Sequence, residues 1–212
     1  MTGAVLAVAG NPITGHGGAE SDLDAQLMLR VRDGDEECYR LLLNKHRNAV
    51  VSFLHRMVQD RAVAEELGQE VFLRIYRSRG SYEVSAKFTT WMFRIATHVA
   101  LNNLRDRRAE LAGRRSEDTR DSEGVAREVP DRSPTAEQRM LQQARLKEVR
   151  DAIGRLPEKQ RVAVLMHKYE EMEYSQIATV LECSESAVKS MLFRAYETLR
   201  SRLAHMSAGG TR

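Results

Sequence analysis

The residues best suited to chemistry lie between positions 174 and 199, in YSQIATVLECSESAVKSMLFRAYETL. Ile177, Ala178 and Leu181 give a short apolar face, and Ser184 can cap a second helix whose buried stripe is Val188, Leu192, Ala195 and Leu199 at helical spacing. Two helices joined by so tight a turn fit a helix-turn-helix. Ser186, Lys189, Ser190 and Arg194 are left on the outer face of the second helix. Hydroxyls near the start of a helix can meet base edges or phosphates in a major groove, and cations further along can meet phosphates. An ordinary helical hairpin with a solvated basic face has the same spacing, so this stretch alone leaves both readings open.

A second constellation lies in FTTWMFRIATHVALNNLRDRR, starting at Phe88. Phe88, Met92, Ile95 and Val99 can form its core face, which puts Thr90, Trp91, Arg94, His98, Asn102 and Arg105 partly outside, with Tyr82 in the preceding loop at 80–87. Aromatic rings beside arginines and amides suit single-stranded nucleic acid, because rings stack on unpaired bases while cations hold the backbone. The competing reading makes Trp91 a core residue. No acid/base pair, nucleophile–base set or metal-ligand spacing emerges: His46, His55, His98 and His167 are scattered, and Cys38 and Cys183 are far apart. The sequence therefore predicts no catalytic residues, no metal and no cofactor, and a reducing cytoplasm is the expected location.

The elements that must position these residues are all helical. The 212-residue chain is 30% charged yet carries a formal net charge of only +3, so contact with nucleic acid must come from local clusters. Residues 1–20, broken by Asn11-Pro12 and glycines, read as a disordered tail that is neither signal peptide nor anchor. Ser21 and Asp24 stand at capping-box spacing before Leu23, Leu27 and Val31. Asp33-Gly34-Asp35 closes that helix, and a second carries Tyr39, Leu42, Leu43, Val50, Phe53, Leu54 and Met57 up to Asp60, a cap for a third. There Val63, Leu67, Val71 and Ile75 recur every fourth residue and leave Glu66, Gln69, Glu70 and Arg74 off the buried stripe. Apolar periodicity vanishes over a mixed-charge stretch, assigned as a linker at 109–133. Ser133-Pro134 starts a helix through Leu141, Leu146, Val149 and Ile153, and Pro157 starts another burying Val162, Val164, Leu165 and Tyr169. The expected architecture is two small all-α domains, 21–108 and 134–205, with a short tail at 206–212.

In this order, three segments resemble the sigma-70 family of bacterial RNA polymerase sigma factors, specifically its small extracytoplasmic-function (ECF) group. AEELGQEVFLRIY is similar to the polymerase-binding helix of region two, FTTWMFRIATHVALNNLRD to its minus-10 melting segment, and LPEKQRVAVLMHKYEEMEYSQIATVLECSESAVKSMLFRAYETLR to region four. The resemblance implies that Glu66, Gln69 and Glu70 dock on core RNA polymerase. It also implies that Tyr82, Trp91, His98, Asn102 and Arg105 handle the melted minus-10 element, and that Ser186, Lys189, Ser190 and Arg194 meet the double-stranded minus-35 element. Such proteins catalyse nothing themselves and are commonly held by an anti-sigma partner, sometimes at the membrane.

Three departures from the family pattern are visible. His98 stands where relatives usually have Asn, Glu182 stands where the turn usually has Gly, and Ser186-Ala187 replaces the usual Gly-Thr. A left-handed backbone at Glu182 would cost about 1 kcal/mol. The alternative function is a stand-alone dimeric helix-turn-helix regulator, which would bind duplex DNA without polymerase.

Overall fold

The computed structural model describes residues 18–113 and 136–205, and among these it contains helices and no strand. The residues assigned to the tails, and most of those assigned to the linker, lie outside the described segments. Eight α-helices follow in order: α1 (Gly18–Arg32), α2 (Glu36–Val58), α3 (Arg61–Arg77), α4 (Phe88–Gly113), α5 (Ala136–Gly154), α6 (Glu158–Tyr169), α7 (Tyr174–Leu181) and α8 (Glu185–Arg202). A short 3-10 turn, Arg79–Ser81, precedes the loop to α4. Because α4 is continuous to Gly113, residues 109–113 are helical instead of linker.

Local chemistry sets most of the boundaries. Gly34 adopts φ +101, a conformation that glycine takes without steric cost, and lets the chain reverse after α1. Asp35 and Asp60 cap α2 and α3, their carboxylates accepting from the Cys38 and Val63 amides at 3.1 Å each. Gln59 ends α2 in the left-handed region. Gly68 permits close packing of α3 on α2, since a β-carbon there would stand 2.9 Å from Val51 Cγ2.

The core of α1–α4 is built from Met28, Leu42, Phe53, Leu54, Met57, Val71, Ile75, Phe88 and Met92, all almost fully buried. The stripe on α1 differs from the expected one. Leu23 is exposed and Asp24 is buried, because Asp24 is not a cap but an internal acceptor: its carboxylate meets His46 Nε2 at 2.8 Å and Lys45 Nζ at 3.0 Å. The helix already runs through Ser21, which leaves no terminus there to cap. Desolvation holds the His46 imidazole below its ordinary value despite the carboxylate beside it. Thr90 is likewise buried, although the Phe88, Met92, Ile95 and Val99 stripe puts it partly outside.

Buried apolar residues from both halves belong to one cluster, which continues from α1–α4 into Ile153, Leu156, Val162, Leu165, Ile177 and Val188. Arg161 joins the halves with its guanidinium. It donates to the carbonyls of Met57 at 2.5 Å, of Leu156 at 3.2 Å, and of Gly154. On the rim Arg108 pairs with Glu158 at 2.7 Å, and Gln59 Nε2 reaches the Arg150 carbonyl at 3.4 Å. Two residues expected inside are outside. Leu146 is exposed on α5, and Tyr169 is exposed because its ring serves as a platform for the Arg56 guanidinium, 4.1 Å from the centroid.

Beside that stacked pair Glu170 ends α6, where the helix dipole disfavours an anion. Desolvation pushes its carboxyl up to about 6, only partly opposed by Arg56. A carboxyl raised by folding stabilises the fold below its ordinary value, near 4.5, and that contribution is lost as pH rises through about 6. Glu170→Gln should therefore match the parent in thermal unfolding at pH 4.5. At pH 7.5 it should exceed the parent by about 1 kcal/mol.

Candidate nucleic-acid and polymerase interface

The helix-turn-helix is built as its residue types demand. Gln176 Oε1 accepts from the Glu173 amide at 2.9 Å at the start of α7, and Ser184 Oγ accepts from the Ala187 amide at 3.2 Å at the start of α8. Ala178 is buried between the helices, and Val188, Leu192 and Ala195 form the inner stripe. Glu182 sits in the turn with φ 53 and ψ 51, the strained left-handed conformation anticipated for this position. Ser186, Lys189, Ser190 and Arg194 all lie on the exposed face of α8. Ser190 Oγ donates to the Ser186 carbonyl at 3.0 Å, and the Ser186 hydroxyl lies 3.0 Å from that of Ser184. Both hydroxyls are tied to their own helix and would have to turn to meet DNA.

Phe193 was missed from sequence and belongs to the same face. It is 69% exposed, which is unusual for phenylalanine, and it lies four positions after Lys189. The helical repeat of the outer residues could have found it. An apolar ring on a groove-facing helix suits the thymine methyl.

On α3, Glu66 and Gln69 are exposed, and the half-exposed Glu70 pairs with Arg74 at 2.6 Å. This polar ridge borders an open groove of about 280 Å³ between α2 and α3, lined in part by Tyr39, Leu43, Val51, Phe72 and Leu73. Leu73 is an exposed apolar residue beside Gln69 and Glu70 and lies outside the Val63, Leu67, Val71 and Ile75 stripe, so the face combines charge with a greasy edge.

The α4 constellation is only partly assembled on the surface. His98 and Arg105 are exposed, Asn102 is half-buried, and Arg105 donates to Asn102 Oδ1 at 3.1 Å. Trp91 is half-buried. Tyr82 is the clear correction: at 2% exposure it is a core residue, edge-on to Trp91 with ring centroids 4.9 Å apart and packed near Phe88. The loop folds inward to cover the start of α4, so its ring offers no face to a base. Burial raises the Tyr82 phenol above its ordinary value, and among the described residues its hydroxyl has no hydrogen-bond partner. His98 instead shares a shallow notch of about 410 Å³ with Arg74, Arg77, Ser78 and Ile95. Those cations and that hydroxyl come from the end of α3, which spacing along α4 could not reveal.

Among the described residues no group of three or more His, Cys, Asp or Glu side chains could hold a metal ion, and no helix is long and apolar enough to cross a membrane. Cys38 is buried, Cys183 is half-buried, and both are free thiols.

Two helical modules, one with a cationic notch beside an acidic ridge and one a helix-turn-helix with its second helix exposed, have the build of a nucleic-acid-binding protein. Residues 42–110 match the Sigma-70 region 2 family and residues 146–199 the Sigma-70 region 4 family. The chain is 34% identical to the RNA polymerase sigma-H factor of Pseudomonas aeruginosa over 178 residues, which is 83% of this chain and 91% of that protein. It is 33% identical to the RNA polymerase sigma factor CarQ of Myxococcus xanthus, over 84% of this chain and 97% of that one. The fold is shared with the sigma factor RpoE solved in complex with the anti-sigma factor NepR from Bartonella quintana, at TM-score 0.63 and 20% identity, covering 78% of this chain and 96% of that one. CnrH, solved with the cytosolic domain of CnrY, gives TM-score 0.62 at 18% identity, over 86% and 97% of the two chains. The chain therefore belongs to the sigma-70 family of RNA polymerase sigma factors, within its ECF group.

The Tyr82 geometry has a direct check. Tyr82→Phe removes a buried hydroxyl that lacks a partner, so thermal denaturation should show unchanged stability or a gain of about 1 kcal/mol. Tyr82→Ala should lose about 3 kcal/mol through the cavity it opens.

Proposed function

We propose that this chain binds core RNA polymerase through α3 and directs promoter-specific initiation, with α4 handling the melted minus-10 strand and α8 the minus-35 duplex. The observation that carries the reading is relatedness across both modules together with full or partial exposure of the residues, Tyr82 excepted, that match the family's working positions. Glu66, Gln69 and Glu70 dock on the polymerase, with Leu73 adding apolar contact. Trp91, His98, Asn102 and Arg105 act on the separated strand. Ser186, Lys189, Ser190, Phe193 and Arg194 act on the duplex, where cations supply sequence-independent attraction and the ring and hydroxyls supply discrimination. The chain works as two modules, 21–108 and 134–205, with the stretch at 109–133 between them, and it catalyses no reaction of its own. It acts in the cytoplasm, where genome and polymerase are. An anti-sigma partner, soluble or membrane-anchored, covers these same faces, a reading supported by the like-folded sigma factor RpoE solved with the anti-sigma factor NepR.

Transcription reconstituted with purified core polymerase on genomic fragments tests the whole reading. Specific transcripts should appear only when both are present, whereas a stand-alone dimeric regulator would shift duplex DNA unaided. Within that assay, replacing Gln69 and Glu70 together by Ala should weaken core association about tenfold with helicity unchanged, because both lie off the buried stripe. Equal affinity would return that face to simple solvation. His98→Ala should spare minus-35 duplex binding and impair strand opening as read by permanganate footprinting. Normal melting on every promoter tested would remove His98 from the site.

A further inference from the structure

Glu182 is out of place where it stands. It occupies a left-handed position that glycine would fill without strain, and among the described residues the hydrogen-bond partner of its carboxylate lies across the molecule. Arg94 Nη2 of α4 donates to Glu182 Oε1 at 2.5 Å, and His98 Nε2 lies 3.9 Å from the same oxygen. The Arg94 pairing also holds the Glu182 carboxyl below its ordinary value, so the anion is the resident form. The side chains of Arg94, His98 and Glu182 are 47%, 50% and 56% exposed, which leaves this contact open to exchange with another anion.

We propose that the Glu182 carboxylate is a built-in competitor of the minus-10 strand: it occupies the Arg94–His98 edge of α4 in the free protein and holds the helix-turn-helix closed over it until a nucleic-acid strand replaces it. The chemistry of the exchange is symmetrical, because a guanidinium engages carboxylate and phosphate oxygens with the same donors. The carboxylate comes from the turn of the minus-35 module, so that module covers the Arg94–His98 edge of α4 while the outer face of α8 stays exposed. Arg108 with Glu158 makes a second cross-pair further along α4, so the closed arrangement is held at two points of one helix. The proposal rests on the assignment of His98 and its neighbours to the separated strand.

Single-molecule energy transfer tests it on the full chain. Dyes placed at Ser52→Cys on α2 and Ser201→Cys on α8, in a Cys183→Ser background that leaves the buried Cys38 unlabelled, report the distance between the halves. Glu182→Gly keeps the turn and removes the carboxylate, and it should raise the ratio of open to closed molecules about two- to fivefold, the range an exposed ion pair can supply. Glu182→Lys should open the molecule at least as far, and adding Arg94→Glu should close it again. Saturating the wild-type chain with a randomised single-stranded DNA dodecamer should also open it. The proposal is overturned if Glu182→Gly and Glu182→Lys leave the distribution unchanged, if the charge swap fails to re-close it, or if the dodecamer binds without opening. Circular dichroism of each variant separates opening from unfolding, and Glu182→Gly decides if Glu182→Lys fails to fold. Failure of the wild-type chain to bind core polymerase would sink the functional reading instead, and it leaves the opening measurement intact.

Discussion

The arrangement of the described helices depends on one buried guanidinium. The end of an α-helix leaves its last carbonyls without partners, and burying them uncompensated costs about 1–3 kcal/mol each. Here the ends of α2 and α5 are brought together, and Arg161 meets both, donating to Met57 at one end and to Gly154 and Leu156 at the other. A lysine could not do the same, because its donors radiate from a single nitrogen and the arginine fork spans several acceptors. The cation also sits where two helix dipoles converge their negative ends. Desolvation lowers its ordinary value, yet an arginine starts high enough to remain charged. Among the described residues Arg161 Nε has no partner, so the junction is satisfied on its outer nitrogens and not on its inner one.

Around that junction the working residues are positioned by rigid elements. The Lys189, Ser190, Phe193 and Arg194 face is held by a helix whose inner stripe is fully buried, and the Glu66, Gln69 and Glu70 ridge by a helix packed tightly through Gly68. The notch at His98 is different. It is assembled from two helix segments, and its groups are partly engaged within the protein: Arg74 by Glu70, while His98 lies 3.9 Å from the Glu182 carboxylate. Binding there requires exchange of partners and not simple filling of a void.

What the sequence revealed follows from the range of the forces involved. Caps at Asp35, Asp60 and Ser184, the stripes of α3, α4 and α8, and the left-handed turn at Glu182 are local, fixed by residues within one or two turns of each other. Three of the misplaced residues answer to distant partners. Asp24 is buried because His46 and Lys45 wait on α2, Tyr82 because Trp91 and Phe88 close over it, and Tyr169 is exposed because Arg56 stacks on it. The resemblance of the working segments to a family carried their roles but not their exposure, which is why Tyr82 was expected on the surface. Phe193 lies outside the Val188, Leu192 and Ala195 stripe, and the helical repeat alone places its ring on the outer face.

The continuity of α4 has a mechanical consequence. Its 26 residues form a rod about 39 Å long, unbroken by proline, and Arg94 and Arg108 stand about 21 Å apart along it. A rod of that stiffness cannot release its partner at one end while keeping register at the other, so the cross-pairs at Glu182 and Glu158 yield together. Separation of the two modules then runs through both pairs at once, much as a beam pinned at two points lifts away whole or stays seated.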